Sequence, residues 1–305
     1  MTPVAHLRCG DDLRARLPAA GWAGEYLAIS DPVCVGPVGE GEAMAYLGAR
    51  ARFVARHAGV DAAEARRRLG AEYAALDGLA RFGRVILWFE HDLWDQAVLI
   101  RVLSLLANRA PLAGKLFRMP ADGRRPFAHL PDSELAALEP LPLSPLEIEL
   151  GAEAWEAFAA PDPTALDRLS RRALALPHLA AAMRRHLQDL PWRTDGLALT
   201  ERQMLRAVAD GAAGLEEALA AQHAADAVFP VTDLILRDIH RRLSDGPRRL
   251  LAPDAPWRLT ERGAAVLAGA ERHRPPPRFQ GGVAVGPDAP WQWDPRAAGV
   301  LSRSA

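Results

Sequence analysis

"RVILWFEHDLWDQ" occupies residues 84–96, and its reading decides the fold. Behind Arg84 runs an unbroken apolar stretch, Val85 to Phe89, the pattern of a strand buried on both faces. Four acidic or imidazole groups, Glu90, His91, Asp92 and Asp95, follow at once, and "QAVLIRVLSLLAN" (96–108) continues as an amphipathic helix. A buried strand passing directly into a helix is the repeating step of a parallel α/β sheet.

The neighbouring segments repeat that step. "VAHLRC" (4–9) and "EYLAIS" (25–30) read as strands, with a short helix after Gly10-Asp11-Asp12, and "KLFRM" (115–119) as a fourth strand. Residues 40–80 carry helical spacing through Phe53, Val54, His57, Leu69, Tyr73 and Leu76. The expected fold class is therefore α/β over 1–120, a small parallel sheet with flanking helices. A mainly helical part follows. Residues 121–192 read as a helical connector, in which Ser144-Pro145-Leu146-Glu147 forms a capping box with proline at the first helical position. Over 193–274, Thr200 and Gln203 suggest a second capping box. Three helices precede "RRLLAPDAPWRLT" (248–260), the element order of a winged-helix-like module. The tail, 275–305, is rich in proline and glycine yet carries Phe279, Val283, Val285, Trp291 and Trp293. It is expected to pack back as a small hairpin turning at Gly286-Pro287-Asp288.

Composition narrows the function classes. Half of the 305 residues are hydrophobic, a quarter are charged, and the formal net charge of -1 gives no global pull toward nucleic acid or membrane. Two cysteines, Cys9 and Cys34, suggest no disulfide framework. Cys9 reads as a small buried residue rather than a nucleophile. The absence of a signal-peptide pattern and of a long apolar span leads to the expectation of a soluble, cytoplasmic protein with no membrane partner.

Ligands of parallel α/β sheets bind outside the carboxyl ends of the strands. Asp11, Asp31, Glu90, His91 and Asp92 all follow strands, so together they are the candidate ligands of a divalent metal ion. Carboxylate oxygens suit Mg²⁺ or Mn²⁺, and one histidine shifts the preference toward Mn²⁺ or Zn²⁺. Glu90 and His91 are the candidate catalytic pair, either one able to act as general base. Simpler readings stand beside these. Asp92 and Asp95 fit N-cap and N3 positions of the following helix, and the Glu90–His91 pair, lying between a buried strand and the cap, calls for either a ligand or a salt bridge with an arginine. Gly10 is a single glycine before two acids, neither a dinucleotide fingerprint nor a P-loop.

Several motifs carry a resemblance. These are "CGDDL" (9–13), "LWFEHDLWDQ" (87–96), "LPHLAAAMRRHLQDLP" (176–191), "LTERQML" (199–205), "WRLTERGAAVL" (257–267) and "GGVAV" (281–285) with "WQWD" (291–294). Through them nearly the whole chain resembles bacterial proteins that join domain of unknown function family 1835 to family 3658. The resemblance implies an α/β domain followed by a helical one and implies no activity.

The expected function is therefore binding of a small phosphorylated ligand through a divalent cation at the acidic strand ends, with phosphoester hydrolysis or transfer as the chemistry. An alternative is a DNA-binding regulator. Across 237–262 the seven arginines Arg237, Arg241, Arg242, Arg248, Arg249, Arg258 and Arg262 face four acids. Arg237 and Arg241 would lie one turn apart on a recognition helix, and Arg248 and Arg249 would flank the wing. A non-catalytic interaction scaffold is the third reading.

Overall fold

The computed structural model describes residues 2–39, 43–172 and 174–303. Residues 40–42, which open the expected helical stretch 40–80, lie outside the described residues, as do residue 173 of the connector and residues 304–305 of the tail. The chain begins β1 (Val4–Arg8), α1 (Arg16–Ala19), β2 (Glu25–Ala28), β3 (Gly36–Pro37), α2 (Ala43–Ala58), α3 (Ala62–Asp77), β4 (Arg84–Trp88), α4 (Leu93–Leu106) and β5 (Leu116–Arg118). Next come α5 (Asp132–Ala136), β6 (Leu141–Pro142), α6 (Pro145–Ala159), α7 (Thr164–Ser170), α8 (Leu179–Leu187), α9 (Leu199–Ala209), α10 (Leu215–Ala225), α11 (Asp233–Ser244) and α12 (Glu261–Leu267). The tail contributes β7 (Arg278–Gly281), β8 (Val283–Val285), β9 (Trp291–Asp294) and β10 (Gly299–Ser302).

The main sheet has the order β2-β1-β4-β5-β6, parallel except for β6 at the edge. The chain leaves β1 toward β2 on one side and returns through α2 and α3 to β4 on the other. The strand order therefore reverses between β1 and β4, the place where such sheets form a crevice. β4 is apolar from Val85 onward because both its faces are covered. Val85, Leu87 and Phe89 join one buried cluster, and the alternate residues Ile86 and Trp88 join a second, with Leu13, Leu17 and Phe127, on the opposite face. The first of these clusters runs without a break from the sheet through α4, α6, α8 and α9 into the tail, where it includes Val283, Val285 and Trp293.

Three local expectations need correction. The winged module is not confirmed. α9, α10 and α11 are present, but between 248 and 260 the strand pairing is reduced to a single bridge, Leu251 with Leu259. Pro253 and Pro256 lack the N–H groups a longer ladder would need. Secondly, the turn of α9 is set by other residues than expected. Glu201 accepts the backbone N–H of Ala198 at 3.0 Å, while the Thr200 hydroxyl turns away to Asp189 at 2.8 Å. Thirdly, the tail packs back as expected, but the two strands flanking Gly286-Pro287-Asp288 do not pair with each other. β7 pairs with β8 and β9 with β10, each antiparallel, and β7 also pairs in parallel with β3. Gly281 and Gly282 permit this seating. Gly281 has φ +60°, and a Cβ on Gly282 would lie 1.8 Å from the carbonyl oxygen of Ala159. No described helix is long and apolar enough to cross a membrane.

Candidate metal centre at the carboxyl edge of the sheet

The site grows out of one misplaced charge. β1 is apolar, His6 apart, until Arg8, a guanidinium only 5 % exposed at the strand end beside β4. A cation there requires nearby anions, and the chain supplies them from two directions. Gly10, at φ +84°, turns the backbone sharply, and Asp12 then chelates Arg8 through both carboxylate oxygens, at 3.1 Å to Nε and 2.9 Å to Nη2. From the end of β4, Glu90 Oε1 accepts Arg8 Nη2 at 2.9 Å and the backbone N–H of Phe127 at 2.7 Å. Asp95, one turn into α4, ion-pairs with Arg8 Nη1 and accepts the backbone N–H of Glu90 at 2.6 Å. Arg8 Nη1 also donates to the carbonyl of Trp88 at 3.0 Å.

Asp92 caps α4, accepting the backbone N–H of Asp95 at 3.0 Å. Cap and site coincide. One carboxylate oxygen from each of Glu90, Asp92 and Asp95 lies within 4.8 Å of the others. A cation held at about 2.0–2.6 Å from each oxygen keeps its ligand atoms within roughly 5 Å of one another, so the spacing suits an ion. The charge balance points the same way. Asp12, Glu90, Asp92 and Asp95 surround the single guanidinium of Arg8, which leaves the cluster anionic when all are ionised. Burial, opposed by Arg8 and reinforced by Asp95, pushes the Glu90 carboxyl up to about 7. Burial likewise raises Asp92 and Asp95, each of which the other's charge or backbone also touches.

Not all the expected ligands converge. Asp31 belongs to a different cluster. It is buried and fully occupied, accepting Arg50 Nε at 2.8 Å, Tyr46 Oη at 3.1 Å and Tyr73 Oη at 2.9 Å. The reason is strand order: β2 lies across β1 from β4, two strand spacings of about 4.8 Å away. Asp11 is exposed and pairs with Arg14 at 2.7 Å on its own turn, so its neighbour Asp12 is the acid that faces Arg8. His91 stands next to the triad, half-buried, with its ring centroid 6.0 Å from that of His178 and its Nδ1 buried without a hydrogen-bond partner. Burial lowers its pKa and keeps it neutral near neutrality. Gln96, buried in α4, donates Nε2 to the Glu90 carbonyl at 2.5 Å. It is a further positioning group that helical periodicity alone does not mark.

Two of the four arginines of the DNA reading are paired within their own helix. Arg237 pairs with Asp233 at 3.7 Å and Arg241 with Asp238 at 2.7 Å, both within α11, while Arg248 and Arg249 are exposed. Comparison with protein families and with curated proteins finds no match for the chain. The likeness to the two uncharacterised domain families thus rests on the motifs quoted above.

Proposed function

We propose that the carboxyl edge of the sheet binds a divalent cation through Glu90, Asp92 and Asp95, and that this cation holds the phosphate of a small ligand. One observation carries the reading: three carboxylates meet at the reversal point of a mainly parallel sheet, and among the described residues Arg8 is the one cation that ion-pairs with them. An all-oxygen donor set favours a hard ion, Mg²⁺ or Mn²⁺, over zinc. Arg8 acts as the positioning residue. Its bonds to Asp12, Glu90 and Asp95 fix those carboxylates, and each of the three candidate ligands keeps its second oxygen outside the hydrogen bonds described above.

If the ligand is turned over, hydrolysis or transfer at phosphorus is the chemistry this arrangement supports. The bound ion would neutralise phosphate charge, and neutral His91 would accept a proton from the attacking water or hydroxyl. Thermal unfolding at pH 7.5 with and without Mn²⁺ tests the reading. The wild-type midpoint should rise with Mn²⁺ concentration by mass action, the rise should vanish in Glu90→Gln/Asp92→Asn, and inorganic phosphate should add to it only when Mn²⁺ is present. An Mn²⁺ response that is absent, or that survives in the double variant, rules the cation site out.

A further inference from the structure

A sizeable cavity lies elsewhere, and none of the acidic triad lines it. It is a cleft of about 720 Å³ between β3, α2, α11, the start of α9 and the β7–β8 pair of the tail. That volume falls within the range of small-molecule sites, which run to roughly 300–1,000 Å³. Its walls are apolar where Phe53, Ile235, Ile239 and Phe279 reach it. The β3 wall is held in place from behind. Gly36, at φ +73°, leaves room for the Phe53 ring, which a Cβ would meet at 2.5 Å. Arg50, anchored on Asp31, donates to the carbonyls of Val35 and Pro37 at 2.9 and 3.0 Å.

The charges around this cleft do not balance. Arg242 is matched by Glu201 at 2.7 Å and by Asp238 at 3.1 Å, and Arg241 is also matched by Asp238. Asp189 is held by Arg185 at 3.1 Å. Arg278 differs. Its guanidinium donates only to neutral oxygens, Gln280 Oε1 at 3.0 Å and the carbonyl of Asp189 at 2.7 Å, and its Nε is buried with no partner. No carboxylate among the described residues forms an ion pair with it. Glu201, Asp189 and Asp238 act on this half-buried guanidinium only through space, without a direct ion pair, which leaves it incompletely compensated, and its planar fork matches a carboxylate. Burial lowers the pKa of this side chain, in keeping with that deficit.

We propose that this cleft binds a small carboxylic acid with an apolar body, its carboxylate seated on Arg278 and its body between Phe53, Ile239 and Phe279. Among the described residues Arg278 is the part-buried lining cation without an ion pair, and its two-pronged fork suits a single carboxylate; Arg56 also lines the cleft unpaired but is exposed, so its charge is already met by solvent. The apolar walls exclude a small polar acid such as acetate as a sufficient ligand.

The test compares octanoate and 2-naphthoate with their neutral amides on the full chain, by calorimetry and by shift of the unfolding midpoint. The acids should bind about ten-fold or more tightly than the amides. Arg278→Gln should erase that preference. Phe279→Ser, at a side chain that is half exposed and so dispensable for folding, should weaken acid and amide alike. Glu90→Gln/Asp92→Asn should leave acid binding unchanged, which separates this site from the cation site. Equal affinity for acid and amide in the wild type, no binding of either, or competition by inorganic phosphate as strong as by octanoate would each overturn the proposal.

Discussion

Arg8 touches Asp12, Glu90 and Asp95 while nearly closed off from solvent, so its removal strands several carboxylates at once. Arg8→Met should cost about 3–5 kcal/mol at pH 7.5, the usual penalty for breaking a buried ion pair from one side. The loss should shrink toward pH 5.5. Glu90 has its carboxyl raised to about 7 in the folded protein, so its favourable contribution is full below the ordinary value of 4.5 and is lost as pH rises through 7. Urea unfolding at pH 5.5, 6.5 and 7.5 would show a difference between variant and wild type that grows with pH, and a pH-independent difference would contradict it. The residues themselves disclosed part of this. Glu90 and His91, unexplained by capping, called for a ligand or an arginine, and an arginine is there. Which arginine was not legible, since Arg8 lies 82 positions from Glu90 and only the pairing of β1 with β4 joins them. Asp31 misled for the same reason: chain order says that it follows a strand, and sheet order puts that strand on the wrong side.

Elements were read with uneven success, and length explains much of it. β1, β2, β4 and β5 announce themselves by apolar runs, whereas β3 and β6 have two residues each, with a proline in both, and leave no periodic trace. Thr200 obeyed a tertiary partner, Asp189, over the local capping rule. The joint between α8 and β7 was equally hidden, although "MRRHLQDL" contains its key. His186 packs its ring 4.2 Å from that of Phe158, and Gln280 Nε2 lies 3.1 Å from its Nδ1. Burial lowers the His186 pKa from 6.5 to about 3. Below about pH 6.5 the unfolded chain takes up a proton that the folded chain refuses, so stability from this residue is present above 6.5 and falls with acidification, by up to roughly 1.4 kcal/mol per pH unit. The protection factors of the β7 amides, exchange corrected for its intrinsic pH dependence, should therefore fall between pH 6.5 and 4.5, and His186→Phe should flatten that dependence. An unaltered slope in the variant would assign the acid sensitivity to other groups.

The whole molecule is bound together by its last thirty residues. Val283, Val285 and Trp293 are each less than 5 % exposed, and Trp192 bridges to Trp293. Burial of one such side chain is worth roughly 1.5–3 kcal/mol, against a total of about 5–15 for an ordinary domain. A chain ending at residue 274 should lose its cooperative thermal transition or unfold many degrees earlier in calorimetry, and an unchanged midpoint would show the tail to be an accessory. The pattern of aromatics in a proline- and glycine-rich terminus made its docking legible. Its partner, the two-residue β3, was not.

That partnership also sets an order in time. β1, β2, β4 and β5 can associate once residue 118 has left the ribosome, but Gly36 and Pro37 must wait for Gln280 and Gly281. During synthesis the nascent chain thus carries a finished acidic edge and an unfinished cleft, with the end of α6 bare until translation is almost over. A chain stalled near residue 260 would present the edge proposed to bind a cation without the cleft proposed for an organic acid, and its uncovered apolar wall would be a surface for chaperones to hold.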